Sequence, residues 1–336
     1  MTRSPLADVA NGYMSSQIIH AAAELEIADL LADGPRSSAE LAAATSTHSS
    51  SLLRLLRALV ALGVLAQSEP DRFELTELGN HLRKDAPDTI RDVVRYLCSP
   101  WVWASFGGIL HSLRTGDPAF DHIHGMPGFD YLAKHPAEAA KFNAAMSQMT
   151  RETGTGIVAD YDFSAFPTVV DVGGGNGTLM AEILGTAPDS KGIVFDTPSG
   201  VSAAQAKLEA AGVADRVVTI GGDFFESVPA GGDAYVMKYI LHDWNDEKSL
   251  LILRNIRKVI EPTGKLIVFE RAIPELIVPD HHRALLSDLL MLVLTGGRER
   301  TVPEYRELFA ATGFELESAT GPLGHLGFTR LVATPA

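Results

Sequence analysis

The chain has 336 residues, 46% of them hydrophobic and 21% charged, with 28 Lys and Arg against 42 Asp and Glu for a net charge of −14. This is globular composition at a length that suggests two domains, and the acidic balance repels phosphate backbones, so nucleic acid is not an expected partner. The N-terminus lacks the apolar core of a signal peptide, no apolar run is long enough for a membrane span, and Cys98 is the single cysteine, so a cytoplasmic protein without internal disulfides is expected.

Residues 1–98 read as a mostly helical domain. Ile18, Ile19, Ala22, Leu25, Ile27 and Leu30 recur at helical spacing up to Gly34-Pro35. Ser37 or Ser38 then precedes a short helix, and Ser49 to Ser51 precede a second that ends at Gly63. Val64-Leu65 and Phe73-Glu74-Leu75 predict two short strands around the turn SEPDR. Helix, helix, hairpin is the layout of a winged helix. Such a module binds DNA or serves packing and dimerisation. The presumptive recognition helix has only Arg54 and Arg57 as cations, which favours the second use.

Residues 99–155 predict helices rich in aromatic side chains, interrupted by a loop at HIHGMPG. From residue 156 the pattern becomes a doubly wound α/β core. TVVDV, GIVFD, VVTIGGD, AYVMKYI and KLIVFE are five short apolar runs, most of them followed by a helical stretch. They predict parallel strands joined by crossovers. FELESAT and GFTRLVAT lie too close together for a crossover helix and predict an antiparallel pair at the sheet edge. Residues 99–336 are thus the second domain.

Chemistry is concentrated where these strands end. DVGGGNG, with Asp171 before Gly173 and Gly175, is a glycine turn between strand and helix. A dinucleotide fold calls for G-x-G-x-x-G or A, but the sixth position is Thr178, so the turn suits a ligand without a pyrophosphate. Asp196 ends the next strand and can accept both ribose hydroxyls, or cap a helix. Asp223 and Phe224 can meet an adenine edge and face, or form a plain turn. Lys238 ends the fourth strand, and His242 follows in the loop at the ligand edge.

DVGGGNG, FD, GDFF, MKYILHDWND and GGRERT occur in the order and spacing of the plant caffeate-type and bacterial small-molecule O-methyltransferases, and the chain resembles that family over nearly its whole length. The resemblance implies a class I methyltransferase sheet, a homodimer formed through the N-terminal domain, and S-adenosylmethionine (SAM) as cofactor. Asp171, Gly173, Gly175, Asp196, Asp223, Phe224 and Lys238 fall on its SAM-binding positions. His242 falls on the catalytic base, flanked by Glu270 and Glu299. Tyr13 or Met14 is a candidate to line the partner subunit's site.

Methyl transfer from a sulfonium is an in-line displacement on an already activated carbon, so the protein chiefly positions two reactants. A phenol titrates near ~10 and a free histidine near ~6.5, so His242 is expected to be neutral at pH 7 and able to take the phenolic proton. Glu270, ending a strand at the ligand edge, is the preferred orienting carboxylate. Glu299 competes as a partner of Arg298 or Arg300. Trp101, Phe106, Phe129, Phe142, Asn143, Met146 and Met291 are candidates to line an apolar acceptor pocket. No metal is called for; a metal-assisted route would draw on Asp243, Asn245 and Asp246, with Asp246 also a helix cap. The alternatives are a SAM-binding relative with hydroxylase- or decarboxylase-like chemistry, a NAD-dependent oxidoreductase and a DNA-binding regulator.

Overall fold

Proline in the first turn sets the start of the opening helix, Pro5–Glu24, in a computed structural model that describes residues 4–278, 282–323 and 327–336. Glu26, at φ +53°, turns the chain into the short helix Ile27–Leu30. Strand β1, Arg36–Ser37, leads into helix Ser38–Thr45. Ser37 caps it reciprocally: its Oγ accepts from the Glu40 amide at 3.2 Å, and Glu40 Oε2 accepts from the Ser37 amide at 2.7 Å. Ser49 to Ser51 form the first turn of helix Ser49–Ala61 rather than preceding it, with His48 at the N-cap. Leu52, Leu56 and Leu59, spaced i, i+4, i+7, are buried on one face. Each such burial stabilises by about 1.5–3 kcal/mol.

Strands β2, Leu65–Glu69, and β3, Arg72–Leu75, form the expected hairpin, and β1 adds to it antiparallel against β3. Two residues are too few to show an alternating pattern, so this third strand was not foreseeable. The chain packs as two compact units: Met1–Trp103 with Ala137–Gln148, and Ala104–Pro136 with Met149–Ala336. The long helix Pro136–Ala159 supplies residues to both. In the stretch read as one loop, helix Ala119–His124 runs through both histidines and a new helix starts at Gly128, so the break is confined to 125–127.

The second unit is built on a seven-stranded sheet. Its strands are β4 (Thr168–Val172), β5 (Lys191–Asp196), β6 (Val217–Gly221), β7 (Ala234–Lys238), β8 (Lys265–Glu270), β9 (Phe314–Leu323) and β10 (Phe328–Pro335). Their spatial order is β6-β5-β4-β7-β8-β10-β9. The first five are parallel, and β10 pairs antiparallel with both β8 and β9. Both faces are covered, so successive residues alternate between two cores. Val169, Ala234, Val236, Ile267 and Phe269 pack with helices Thr178–Thr186 and Ala204–Ala210. Val170, Val172, Tyr235, Met237, Leu266 and Val268 pack with helices Asp246–Arg257 and Val302–Ala310.

The chain runs outward from β4 to β5 and β6, then returns to β7 on the other side of β4. Ligands bind beyond the carboxyl ends of the strands at such a reversal. The glycine turn after β4 and the histidine loop after β7 flank it.

Candidate active site

The two loops are locked together. Gly173 lies at φ +77°, and a Cβ there would stand 2.3 Å from Ile240 Cδ1. Only glycine lets the first turn pack against the second. The Gly173 and Gly174 amides donate to Phe195 O at 2.8 and 3.2 Å, tying the turn to β5. Gly175, at φ +52°, has no protein atom near the place of its missing Cβ, which leaves its outer side open.

Two acids face this turn. Asp171 is buried, and its Oδ2 has no hydrogen-bond partner. Burial, aided by the charge of Asp196 and opposed by Lys238, pushes its carboxyl up to about 7. Asp196 Oδ2 accepts from the Gly175 amide at 2.9 Å and Oδ1 from the Thr197 amide at 2.6 Å. It therefore builds its own turn, yet keeps lone pairs to offer. Asp223 is exposed and accepts from the Phe225 amide at 2.8 Å, while Phe224 stands edge-on to Phe225 and Trp244. Lys238 donates to Thr150 Oγ1 at 3.1 Å, and burial brings its ammonium down to about 7. A glycine turn open on one side, an orphaned buried carboxylate and a second acid one strand along fit a cationic nucleoside such as SAM.

His242 sits buried in the turn Leu241–Asp243, its side chain 8% exposed. Nδ1 lies 3.0 Å from Glu299 Oε1 and 3.5 Å from Glu270 Oε2. The close carboxylate is thus Glu299, not the preferred Glu270. Glu270 Oε1 instead accepts from the amides of Ile240, Leu241 and His242 at 3.0, 2.8 and 3.3 Å, fixing the loop's backbone to β8. Glu299 is held in turn by Ser287 Oγ at 2.7 Å and by its own amide, which donates to Asp288. Its expected pairing with a neighbouring arginine is not made: Arg298 bonds Glu304, and Arg300 bonds Asp246.

Burial opposes a charge on His242. The carboxylates of Glu270, Glu299 and Asp243 outweigh it and raise the imidazole to about 10. The expectation of a neutral ring at pH 7 is therefore overturned for the ligand-free site, because three acids surround one base. Burial pushes Asp243 up to about 7, and its Oδ1 lies 3.8 Å from Nε2.

Three supporting residues escaped sequence reasoning. Tyr239, held at φ +57°, stacks on the imidazole with centroids 4.9 Å apart and planes 5° from parallel. Arg300 is fully buried and donates to Leu241 O at 2.9 Å and Trp244 O at 2.8 Å. Gly297 passes so close to the loop that a Cβ would stand 2.0 Å from His242 O. The glycine pair before Arg298 carried that signal. Asn245, not Asp246, caps the following helix by accepting from the Lys248 amide at 3.0 Å. With Asp246 engaged by Arg300 and Asn245 spent on the cap, two of the three residues weighed for a metal are already committed.

Residues 106–315 match the family model of the O-methyltransferase domain, and residues 7–85 match that of the O-methyltransferase dimerisation domain. The chain belongs to the O-methyltransferase family. It is 42% identical over 314 residues to a phenazine O-methyltransferase of Lysobacter antibioticus, covering 94% of this chain and 91% of the relative. The crystal structure of LaPhzM matches with a TM-score of 0.93 at 41% identity over 98% of both chains. That of NcsB1 from neocarzinostatin biosynthesis, in complex with SAM and 2-hydroxy-5-methyl naphthoic acid, matches at 0.86 with 33% identity over the full length of both.

This O-methyltransferase uses SAM and carries a dimerisation domain. No helix among its described residues is long and apolar enough to cross a membrane. Its candidate acceptor-lining residues divide between the units. Trp101, Phe142, Asn143 and Met146 belong to the first, where Trp101 Nε1 donates to Glu138 at 2.9 Å and Phe142 stands edge-on to Tyr96. Phe106, Phe129 and Met291 belong to the second; Phe129 stacks on Trp244 at 5.5 Å, and Met291 is buried.

Proposed function

We infer that the enzyme methylates a phenolic or enolic hydroxyl of a small aromatic molecule, with His242 as the base. The carrying observation is the Nδ1 contact with Glu299. A carboxylate there keeps the proton on Nδ1, which leaves Nε2 as the accepting atom of the neutral ring. The surrounding carboxylates raise the imidazole of the ligand-free site toward a phenol's range, which lowers the cost of passing the proton between them. Imidazole facing phenol and imidazolium facing phenolate hold the same number of protons, so the site also takes an acceptor that arrives ionised.

SAM supplies a methyl group activated by the positive sulfur. Asp171, Gly173, Gly175, Asp196, Asp223, Phe224 and Lys238 are assigned to hold it. The aromatic and methionine side chains of residues 99–155, with Met291, are assigned to the flat acceptor. The exposed Leu6, Val9, Tyr13 and Met14 of the first helix support a homodimer, in which Tyr13 or Met14 reaches the partner's site. A cytoplasmic location accompanies this reading.

The test is incubation with methyl-labelled SAM and a panel of hydroxylated phenazines, naphthoates and benzoates. A product heavier than its acceptor by one CH2 is expected. His242→Ala is expected to lose turnover by on the order of 10²–10⁴-fold while S-adenosylhomocysteine still binds. Full turnover in that variant refutes the base, and an oxygenated or decarboxylated product refutes the reaction class.

A further inference from the structure

We propose that the buried His242, Glu270 and Glu299 form a binding site for a divalent cation of the zinc class, and that occupancy switches off the base. The three ligand atoms lie within 4.8 Å of one another, and both glutamates are almost wholly buried. Nδ1 has one hydrogen to give and donates it to Glu299 Oε1. Glu270 Oε2, aimed at the same nitrogen from 3.5 Å, and Glu299 Oε2 are left with no hydrogen-bond partner. A buried carboxylate oxygen without a donor is costly.

A metal ion beside Nδ1 meets both Glu299 Oε1 and the orphaned Glu270 Oε2, which a single proton cannot. Zinc binds nitrogen and oxygen at roughly 2.0–2.2 Å, which in a tetrahedron sets neighbouring ligand atoms about 3.4 Å apart. The observed separations of 3.0 and 3.5 Å bracket that value. One neutral imidazole and two carboxylates also cancel the ion's charge inside a dry site. Ser287, which donates to Glu299 Oε1, and the Ile240, Leu241 and His242 amides, which donate to Glu270 Oε1, already hold both carboxylates in place.

Coordination requires Nδ1 to lose its hydrogen. The remaining ring proton then sits on Nε2, the atom that must accept the phenolic proton. The ion is therefore an inhibitor and takes no part in methyl transfer. The site rests on the triad's geometry, not on the identity of the acceptor.

The probe is Co2+, titrated into tag-free enzyme and followed by its visible absorption, with Zn2+ as competitor. One Co2+ per chain with a visible band, displaced by Zn2+, is expected. Glu270→Gln and Glu299→Gln should each lose the band while retaining S-adenosylhomocysteine binding. His122→Ala, which removes one of the stacked surface histidines 111 and 122, should keep it. Zn2+ should inhibit the wild-type enzyme reversibly, with recovery on adding a chelator. No band in the wild type, or a band surviving both Gln variants, overturns the proposal. Should a Gln variant fail to fold, a cobalt-soaked wild-type crystal decides the matter: anomalous density beside His242 Nδ1 supports the site, and density only elsewhere overturns it. Loss of methyl transfer on every acceptor would refute the proposed activity while leaving the cobalt result intact.

Discussion

Glu299→Gln separates the charge beside His242 from its geometry. The amide oxygen of Gln can still accept from Nδ1, so the ring stays oriented while the negative charge is removed. At 3.0 Å and an effective dielectric of about 20, that charge stabilises imidazolium by roughly 5 kcal/mol. Raising a histidine from 6.5 to about 10 also corresponds to roughly 5 kcal/mol. Glu299 shares this work with Glu270 and Asp243, and burial opposes all three. The variant's imidazole should titrate clearly below the wild-type value, with Glu270 and Asp243 still raising it. The sign follows from proton loss. The wild-type kcat/KM on a phenolic acceptor should climb with pH as far as about 10, where imidazolium becomes imidazole. In Glu299→Gln that rise should finish at lower pH, and kcat should fall by on the order of 10²-fold because the weaker base matches the phenol less well. Ring-proton NMR titration of His242 and the pH–rate profile read the two quantities separately. An unmoved rising limb, with His242 still titrating near 10, would refute the claim that Glu299 helps raise this base.

Gly297→Ala should force the His242–Asp243 backbone aside and cut kcat by on the order of 10²-fold, with S-adenosylhomocysteine affinity unchanged by calorimetry. Arg300→Met removes charged donors from Leu241 O and Trp244 O and should lower stability by about 3 kcal/mol in urea unfolding. Asp171, at about 7, gains its charge between pH 6 and 8, so S-adenosylhomocysteine should bind about tenfold more tightly at the upper limit through its ammonium. Asp171→Asn should flatten that slope in calorimetry. A binding constant equally pH-dependent in the variant would point to Lys238 instead, which titrates in the same range.

The sheet was legible because its central strands bury both faces. Unbroken runs such as TVVDV and KLIVFE have no other use in a chain of this composition. The candidate site residues were picked out because they fall where strands stop. Their division of labour was not legible. Whether Glu270 or Glu299 meets the imidazole depends on the path of 297–300 past the histidine loop, and no local pattern encodes that path. The same holds for the protonation of His242, which is set by three acids drawn from three segments. Tyr239 was missed because left-handed backbone at a bulky residue has no sequence signature. The acceptor-facing candidates were chosen by composition alone. The burial of Trp101 against Glu138 shows why that is weak: a large aromatic satisfied within its own unit gives no sign of a ligand.

The anchoring of the histidine loop by one carboxylate oxygen bears on how such enzymes change their clientele. Because Glu270 grips three consecutive amides from a central strand, the backbone that carries His242 is anchored directly to the sheet. On the proposed assignment of the acceptor to the helices of residues 99–155, those helices can vary in sequence and admit rings of new outline while the loop backbone stays held by Glu270. Diversification can proceed on one side of the reaction without renegotiating the other.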